Sequence, residues 1–368
     1  MSGGPVSTAP APRVKTPAYI NGRFATQSLT GVQRFALEMT AALQSLAPGT
    51  FRLVVPRATH VPGAIAAGRL PGQAWEQLDL PRLARSGVLV NFGNTAPLLA
   101  RRQILVMHDA GVFATPNAYS WKFRTWYKTL QRLLVLRGVK IVTVSAFSRA
   151  EIIRFLDAEP AQVAVIPEGA DHVDRLVADP LALAKFELEP GRYTLAVGTL
   201  AAHKNLLSLD ALAKAGAARG VPLVVVGGLG GIAFNAEAAK AARLPQPARY
   251  VGRVSDAELK TLYTNAAAFV FPSRYEGFGL PAVEAMACGC PVVCADIPAL
   301  RETCGDAALY ADPQNPEDIM TTTMRLLDDA SLPAQLAAAG RARTAAMTWR
   351  QAASAFMEIF DEVRHATR

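Results

Sequence analysis

The chain has 368 residues, 51% of them hydrophobic, with 38 Lys+Arg against 30 Asp+Glu and four cysteines. That length exceeds what one hydrophobic core sustains, so two domains are expected. No apolar run approaches a membrane span, the start MSGGPVSTAPAPRVKTP lacks the apolar stretch of a signal peptide, and the thiols all lie between Cys288 and Cys304, which excludes a secreted disulfide scaffold.

A cytoplasmic protein with a disordered leader over residues 1–16 is therefore expected. The net charge of +8 is uneven: residues 1–180 hold 20 basic and 11 acidic side chains, leaving 18 and 19 for the remainder. The basic half would meet an anionic partner or bilayer surface, and no nucleic acid is expected as a partner.

Short runs rich in Val, Ile and Leu, each followed by a helix-like segment, give the rhythm of parallel β/α units. In chain order, strands are expected at Ala18–Asn21, Arg52–Pro56, Val88–Phe92, Ile104–His108, Ile141–Ser145 and Val163–Pro167. The pattern weakens over Asp171–Arg192, an acidic, Pro-containing connection. It resumes at Tyr193–Gly198, Leu223–Gly227, Tyr250–Gly252, Ala268–Pro272, Pro291–Ala295 and Ala308–Tyr310. The fold class is thus α/β with two Rossmann-like domains of parallel sheet, over 17–180 and 181–346. Thr348 and Gln351 are spaced as a capping box opening a last helix over 347–368, with Trp349, Ala353, Phe356 and Phe360 on one face.

In open α/β sheets ligands bind beyond the carboxyl ends of strands. Those ends carry Asn21, His108, Asp109, Ser145, Gly198, Gly227, Gly252, Tyr275 and Asp296, short on metal ligands and rich in hydrogen-bonding groups. The sharpest signal runs from Phe269 to Asp296, FVFPSRYEGFGLPAVEAMACGCPVVCAD. Gly277 and Gly279 let the backbone approach a ligand, Pro281 suits a first helical turn, and the N–H groups of the GFGL segment would meet a phosphate. Glu284, one turn inside the helix, can accept from both hydroxyls of a ribose, while Glu276 is placed to reach a sugar. The bland reading makes both glutamates a helix start and a solvated face, which the apolar flanks disfavour.

Lys204 follows the strand end at Gly198 by six residues, where an ammonium can sit over a diphosphate. His108 and Asp109 end a strand of the basic half beside a Gly-containing loop. Thr30 and Gln33, with Gly31 between, form another candidate capping box, whose helix start would face the cleft or merely cap. From Tyr119 to Lys140 there are six basic residues and no acidic one. Phe123, Trp126, Tyr127, Leu130, Leu133 and Leu134 recur there at helical spacing, with Lys122, Lys128 and Arg132 largely on another face: a membrane-surface helix or an ordinary core face. Cys288, Cys290, Cys294 and Cys304 lack the usual zinc spacing and read as small packing residues.

The chain resembles the retaining family-4 glycosyltransferases of the GT-B fold. Glu276 and Glu284, seven residues between them, are similar to the family's E-x7-E signature, with GFGLP inside it and G-x-P-V-V after it. Lys204 in HKN stands where the family has its phosphate-binding lysine, and His108, VSAFS around Ser145 and VIPEGAD match further landmarks. The resemblance implies a last helix packing back on the N-terminal domain. It implies a nucleotide-sugar donor against Gly31, Gly198, Thr199, Lys204, Arg253, Glu276, Gly277, Phe278, Gly279, Leu280 and Glu284. The acceptor would lie beside His108, Asp109 and Ser145, and His108, Lys204 and Glu276 would be catalytic. Retention without a metal or other cofactor is implied, and no D-x-D motif is present. Two departures stand out: Thr199 replaces an arginine after the strand glycine, and His203 replaces one before the lysine.

The acceptor class implied is a glycan or a polyprenyl-diphosphate-linked glycan, met at the inner face of the membrane, with the 119–140 segment touching anionic lipid. NGRF and TGVQRF are similar to enzymes of surface and exopolysaccharide assembly, which favours mannose from GDP-mannose. Two rivals stay open. GGLGGIA, Gly227–Ala233, partly matches a dinucleotide fingerprint and would suit an oxidoreductase. Thr199 and His203 would suit a catalytically silent sugar-nucleotide-binding protein on the same fold.

Overall fold

The structure is a computed structural model, described here for residues 16–227 and 244–366. Most of the leader, and GGLGGIA beyond Gly227, lie outside the described residues. The first sheet holds β1 (Ala18–Asn21), β2 (Phe51–Pro56), β3 (Ile65–Ala67), β4 (Val88–Asn91), β5 (Gln103–Val106), β6 (Lys140–Thr143) and β7 (Val163–Val165). Its order is β3-β2-β1-β4-β5-β6-β7. The second holds β8 (Thr194–Val197), β9 (Leu223–Val226), β10 (Ala248–Gly252), β11 (Ala268–Phe271), β12 (Val292–Ala295) and β13 (Leu309–Ala311), in the order β10-β9-β8-β11-β12-β13. Among the described residues every pairing is parallel. The fold class is the expected one.

Each expected strand is present within a few residues, because strands buried on both faces read as continuous apolar runs. The sequence reading missed β3, a three-residue edge strand, Ile-Ala-Ala, that is mostly exposed and too short to stand out as a buried apolar run.

The helices of the described residues include α1 (Gly31–Leu46), α2 (Trp121–Leu136), α3 (Ala146–Leu156), α4 (Asp256–Asn265), α5 (Leu280–Ala287), α6 (Pro298–Cys304) and α7 (Trp349–His365). The last, α7, returns to the first sheet. Trp349, Ala353, Phe356 and Phe360 are fully buried in one core with Phe35 and Met39 of α1 and Val88 and Val90 of β4. Their rings interlock: Phe92 with Phe356 at 5.7 Å, Phe51 with Phe360 at 5.0 Å, Phe35 with Trp349 at 5.6 Å. At the start of α7, the Thr348 hydroxyl accepts the Gln351 N–H at 3.2 Å. The Gln351 side chain accepts from that hydroxyl, at 3.1 Å, so only half of the expected capping box forms.

The two connections between the sheets run side by side. The Ala170 N–H donates to the Met347 carbonyl at 2.8 Å, and the Trp349 N–H to Asp171 Oδ1 at 2.8 Å. Gly169 permits this: a Cβ there would lie 2.4 Å from the Trp349 nitrogen.

Candidate functional site

Each sheet reverses its winding once, between β1 and β4 and between β8 and β11. Ligand crevices open at such points. Past the end of β8 the chain passes Gly198 and Thr199, both half-buried, into a short turn, Ala202–Lys204. Asn205 ends that turn in the left-handed region (φ 56°), a conformation asparagine tolerates better than most residues. Its amide donates to the Pro272 and Pro313 carbonyls at 3.0 and 2.8 Å, anchoring the turn beneath β11. The lysine stem lies against Gly198 (3.7 Å from where its Cβ would be), and Nζ reaches Glu276 Oε1 at 2.7 Å.

Past β11, the loop Ser273–Gly279 carries Glu276 and then opens α5 through Gly279 at φ 93°. The N–H groups of Gly277, Phe278 and Gly279 find no acceptor among the described residues. The loop is also where the domains touch. The Gly277 carbonyl accepts from Ser145 Oγ at 2.6 Å and Ser148 Oγ at 3.2 Å, and a Cβ on Gly277 would lie 2.2 Å from the His108 carbonyl oxygen. A few residues away, Glu302 of α6 accepts the Ala146 and Phe147 N–H groups at 2.7 and 3.0 Å. A carboxylate there complements the positive start of α3.

Asp109 comes close to this cluster from the first domain. Burial pushes its carboxyl above the usual range and the Glu276 carboxylate adds to it, while the Gly111 N–H, His108 and Lys204 pull it back. His203 is the reverse case: burial first, then Lys204, hold its imidazole at about 4. At neutral pH it adds no charge beside Lys204.

The expected acceptor-side residues are engaged within the protein. His108 is buried, with Nε2 2.9 Å from the Phe92 carbonyl, Nδ1 3.4 Å from Glu168 Oε1 and its ring edge-on to Phe35. A bond from its ring to a substrate would require exchanging one of these. Ser145 spends its hydroxyl on the Gly277 carbonyl and on capping the Ser148 N–H at 3.0 Å, so it joins the domains.

Glu284 faces inward from α5. It is buried, with Oε1 3.0 Å from His172 Nε2 and Oε2 3.2 Å from the Tyr263 hydroxyl. Beside it, Arg34, His172, Asp256, Tyr263 and Glu284 line a space of about 10 Å³, room for about one water. An Arg34–Asp256 ion pair between α1 and α4 closes its rim.

Gly31, at the start of α1, is exposed with open space around it. The Thr30–Gln33 capping box does not form: the Thr30 hydroxyl bonds the Gln33 side chain and caps no backbone N–H. Arg253 stands exposed past the end of β10, with no hydrogen bond or ion pair among the described residues, so Lys204 is the cation the fold brings to Glu276.

The apolar stripe of α2 divides. Phe123, Tyr127, Leu130 and Leu134 pack inward, whereas Trp121, Trp126, Leu133 and Leu136 face out beside exposed Lys122, Arg132 and Arg137. Lys128 and Arg132 lie 5.0 and 5.5 Å from the Phe113 ring. Cys290, Cys294 and Cys304 are buried in the core of the second sheet. Among the described residues no helix is long and apolar enough to cross a membrane.

Sequence reasoning missed Asn205, His172, Tyr263 and Glu302. An Asn directly after the lysine, free to adopt the left-handed region, was the one local signal. The other three act across the fold and leave none.

A family model described as glycosyl transferases group 1 matches residues 183–343. The chain is 34% identical over 263 residues to O-antigen chain mannosyltransferase B of Escherichia coli, covering 69% of this chain and 68% of that one. It is 32% identical over 238 residues to O-antigen chain mannosyltransferase RfbU of Salmonella typhimurium, covering 62% and 64%. Anabaena Alr3699/HepE, solved with UDP and glucose, superposes with a TM-score of 0.71 at 15% identity, over 94% of this chain and 99% of that one. With two parallel sheets facing across a cleft and the E-x7-E glutamates at its junction, the chain belongs to the group 1 glycosyl transferases of the GT-B fold.

Proposed function

We propose that this glycosyltransferase moves mannose from GDP-mannose, with retention and without a metal, to a glycan or polyprenyl-diphosphate-linked glycan in surface polysaccharide synthesis. The observation that carries the reading is the Lys204–Glu276 pair, set where the crevices of the two sheets meet. The similarity to O-antigen mannosyltransferases supports the sugar and the class of acceptor.

In this reading the diphosphate lies between the start of α5, the start of α1 at Gly31 and the ammonium of Lys204. Glu284 holds the ribose and Glu276 the hexose hydroxyls. The bond from the anomeric carbon to the diphosphate oxygen breaks, leaving GDP. The acceptor oxygen bonds the same face of that carbon, and its proton passes to the departing phosphate. Lys204 balances the charge that grows there, and such preorganised groups are among the largest contributors to transfer rates.

The outward face of α2 supports work at an anionic lipid surface. It presents two tryptophans and two leucines among bases, the composition of an interfacial helix. A cleft of about 340 Å³ in the same domain is lined by Arg82, Arg85, Arg101 and Arg102 beside exposed Leu78 and Leu99, with no acidic side chain.

The test is a melting-point panel of GDP-, UDP-, ADP- and dTDP-sugars followed by transfer assays, since a ligand of the folded state raises the midpoint. A shift with GDP-mannose and transfer to a lipid-linked glycan are expected. Binding without transfer or hydrolysis would leave a silent sugar-nucleotide-binding protein, and a response to NAD(P) alone an oxidoreductase.

A further inference from the structure

The Trp349 indole nitrogen lies 3.1 Å from His172 Nδ1, and His172 Nε2 lies 3.0 Å from Glu284 Oε1. An indole carries one N–H and no acceptor, so the Nδ1 it addresses must accept and the imidazole hydrogen sits on Nε2. That hydrogen points at Glu284. The Tyr263 hydroxyl donates to the other carboxylate oxygen, so the protein occupies one acceptor position on each oxygen of Glu284. An ionised carboxylate has about two per oxygen, so one on each remains, the number a vicinal diol needs.

We propose that His172 is a positioning residue for donor recognition: held in its Nε2–H tautomer by Trp349, it orients the Glu284 carboxylate toward the two ribose hydroxyls. The inference rests on the reading of Glu284 as the ribose acceptor. His172 and Trp349 stand on the two connections between the domains, stitched together by the Ala170–Met347 and Trp349–Asp171 bonds. The group that aims Glu284 therefore belongs to the hinge and not to the nucleotide-binding sheet. His172 is only 3% exposed, and its ring lies 6.0 Å from that of Trp349, so neither bond competes with bulk water.

The experiment measures equilibrium binding of GDP and UDP, each beside its 2′,3′-dideoxy analogue, and reads the ratio of the two affinities. The full chain prefers the ribonucleotide. His172→Ala collapses the ratio by roughly tenfold or more, the scale of losing a well-made hydrogen-bond pair to a charged group. His172→Gln, which returns an N–H to the Nε2 position, restores most of it. Trp349→Phe keeps an aromatic ring against Phe35 but removes the N–H, and gives an intermediate ratio. If Glu284→Ala collapses the ratio while His172→Ala lowers both nucleotides equally, or leaves the ratio unchanged, His172 is structural and the inference is overturned with the Glu284 reading intact. If Glu284→Ala itself leaves the ratio unchanged, the ribose reading falls and the inference with it. Because glutamine is close to histidine in size, the His172→Gln comparison does not depend on the alanine variant folding.

Discussion

The ammonium of Lys204 lies 2.7 Å from a carboxylate oxygen of Glu276, although the two residues arrive on different loops from neighbouring strands. Each neutralises the other, with Asp109 close by. Removing Lys204 takes away the cation assigned to the diphosphate in the proposed reading and leaves the Glu276 carboxylate without its ion-pair partner. Lys204→Ala is expected to lower kcat/KM for transfer by about a hundredfold or more. A fall of only a few-fold would move the phosphate role to Arg253.

The two glutamates are expected to separate kinetically. Glu284→Ala removes the proposed ribose acceptor and strands His172 and Tyr263, so nucleoside diphosphate affinity falls by about 10- to 100-fold. Glu276→Ala depresses kcat more than affinity, since its proposed partner is the sugar that moves. Calorimetric titration with the free diphosphate alongside steady-state kinetics checks both. Retained turnover with lost affinity in Glu276→Ala would mean the roles are exchanged.

The proposed mechanism routes no step through a divalent ion. EDTA is expected to leave initial rates within experimental scatter. Strong inhibition, reversed by adding back a divalent cation, would end the metal-free reading.

His203 sets a pH dependence of stability. Its folded-state value of about 4 lies below the ordinary 6.5, so between these values the unfolded chain binds the extra proton and stability falls as pH falls. The loss begins near 6.5, ends near 4 and amounts to at most roughly 3 kcal/mol, less because the side chain is not wholly shielded. His203→Gln should flatten this dependence. Urea midpoints of both proteins at pH 7 and pH 4.5 provide the comparison, and parallel falls in the two would show that other groups set the slope.

Binding to anionic vesicles is expected at low salt, weakening as salt rises, because the attraction acts over about a Debye length. The structure shows which bases to change. Arg124 and Lys128 are partly covered, whereas Lys122, Arg132 and Arg137 face out beside Trp121 and Trp126. Changing those three bases to Glu should abolish co-sedimentation without altering the melting point. No sedimentation of the unaltered protein with anionic vesicles at low salt would leave α2 a plain surface helix.

How much could be read beforehand depended on the range of the interaction. Buried parallel strands announce themselves as apolar runs, so all but the exposed edge strand β3 were legible. The E-x7-E loop was legible too, because its glycines, proline and glutamates lie within one short stretch. Periodicity showed that α2 has apolar side chains but not which of them the sheet covers: Leu130 is buried and Leu133 exposed. The His172–Trp349 contact spans 177 residues, and the Tyr263–Glu284 bond joins separate helices. Such pairings are decided by how the layers stack, and no local pattern encodes them. Thr30 and Gln33 had the right spacing for a cap, yet their side chains bond each other.

The return of α7 to the first sheet sets the order in which the protein can be completed. Phe35, Phe92 and Val90 share their core with Trp349, Phe356 and Phe360, so part of one face of the N-terminal layer stays uncovered on the ribosome until those residues emerge. By then the whole second sheet has been synthesised. Exposed apolar surface of that kind is what makes partly folded chains aggregate. A fragment cut at the Asp171–Arg192 connection would inherit the same open face permanently, and supplying residues 347–368 as a separate peptide is the way to close it.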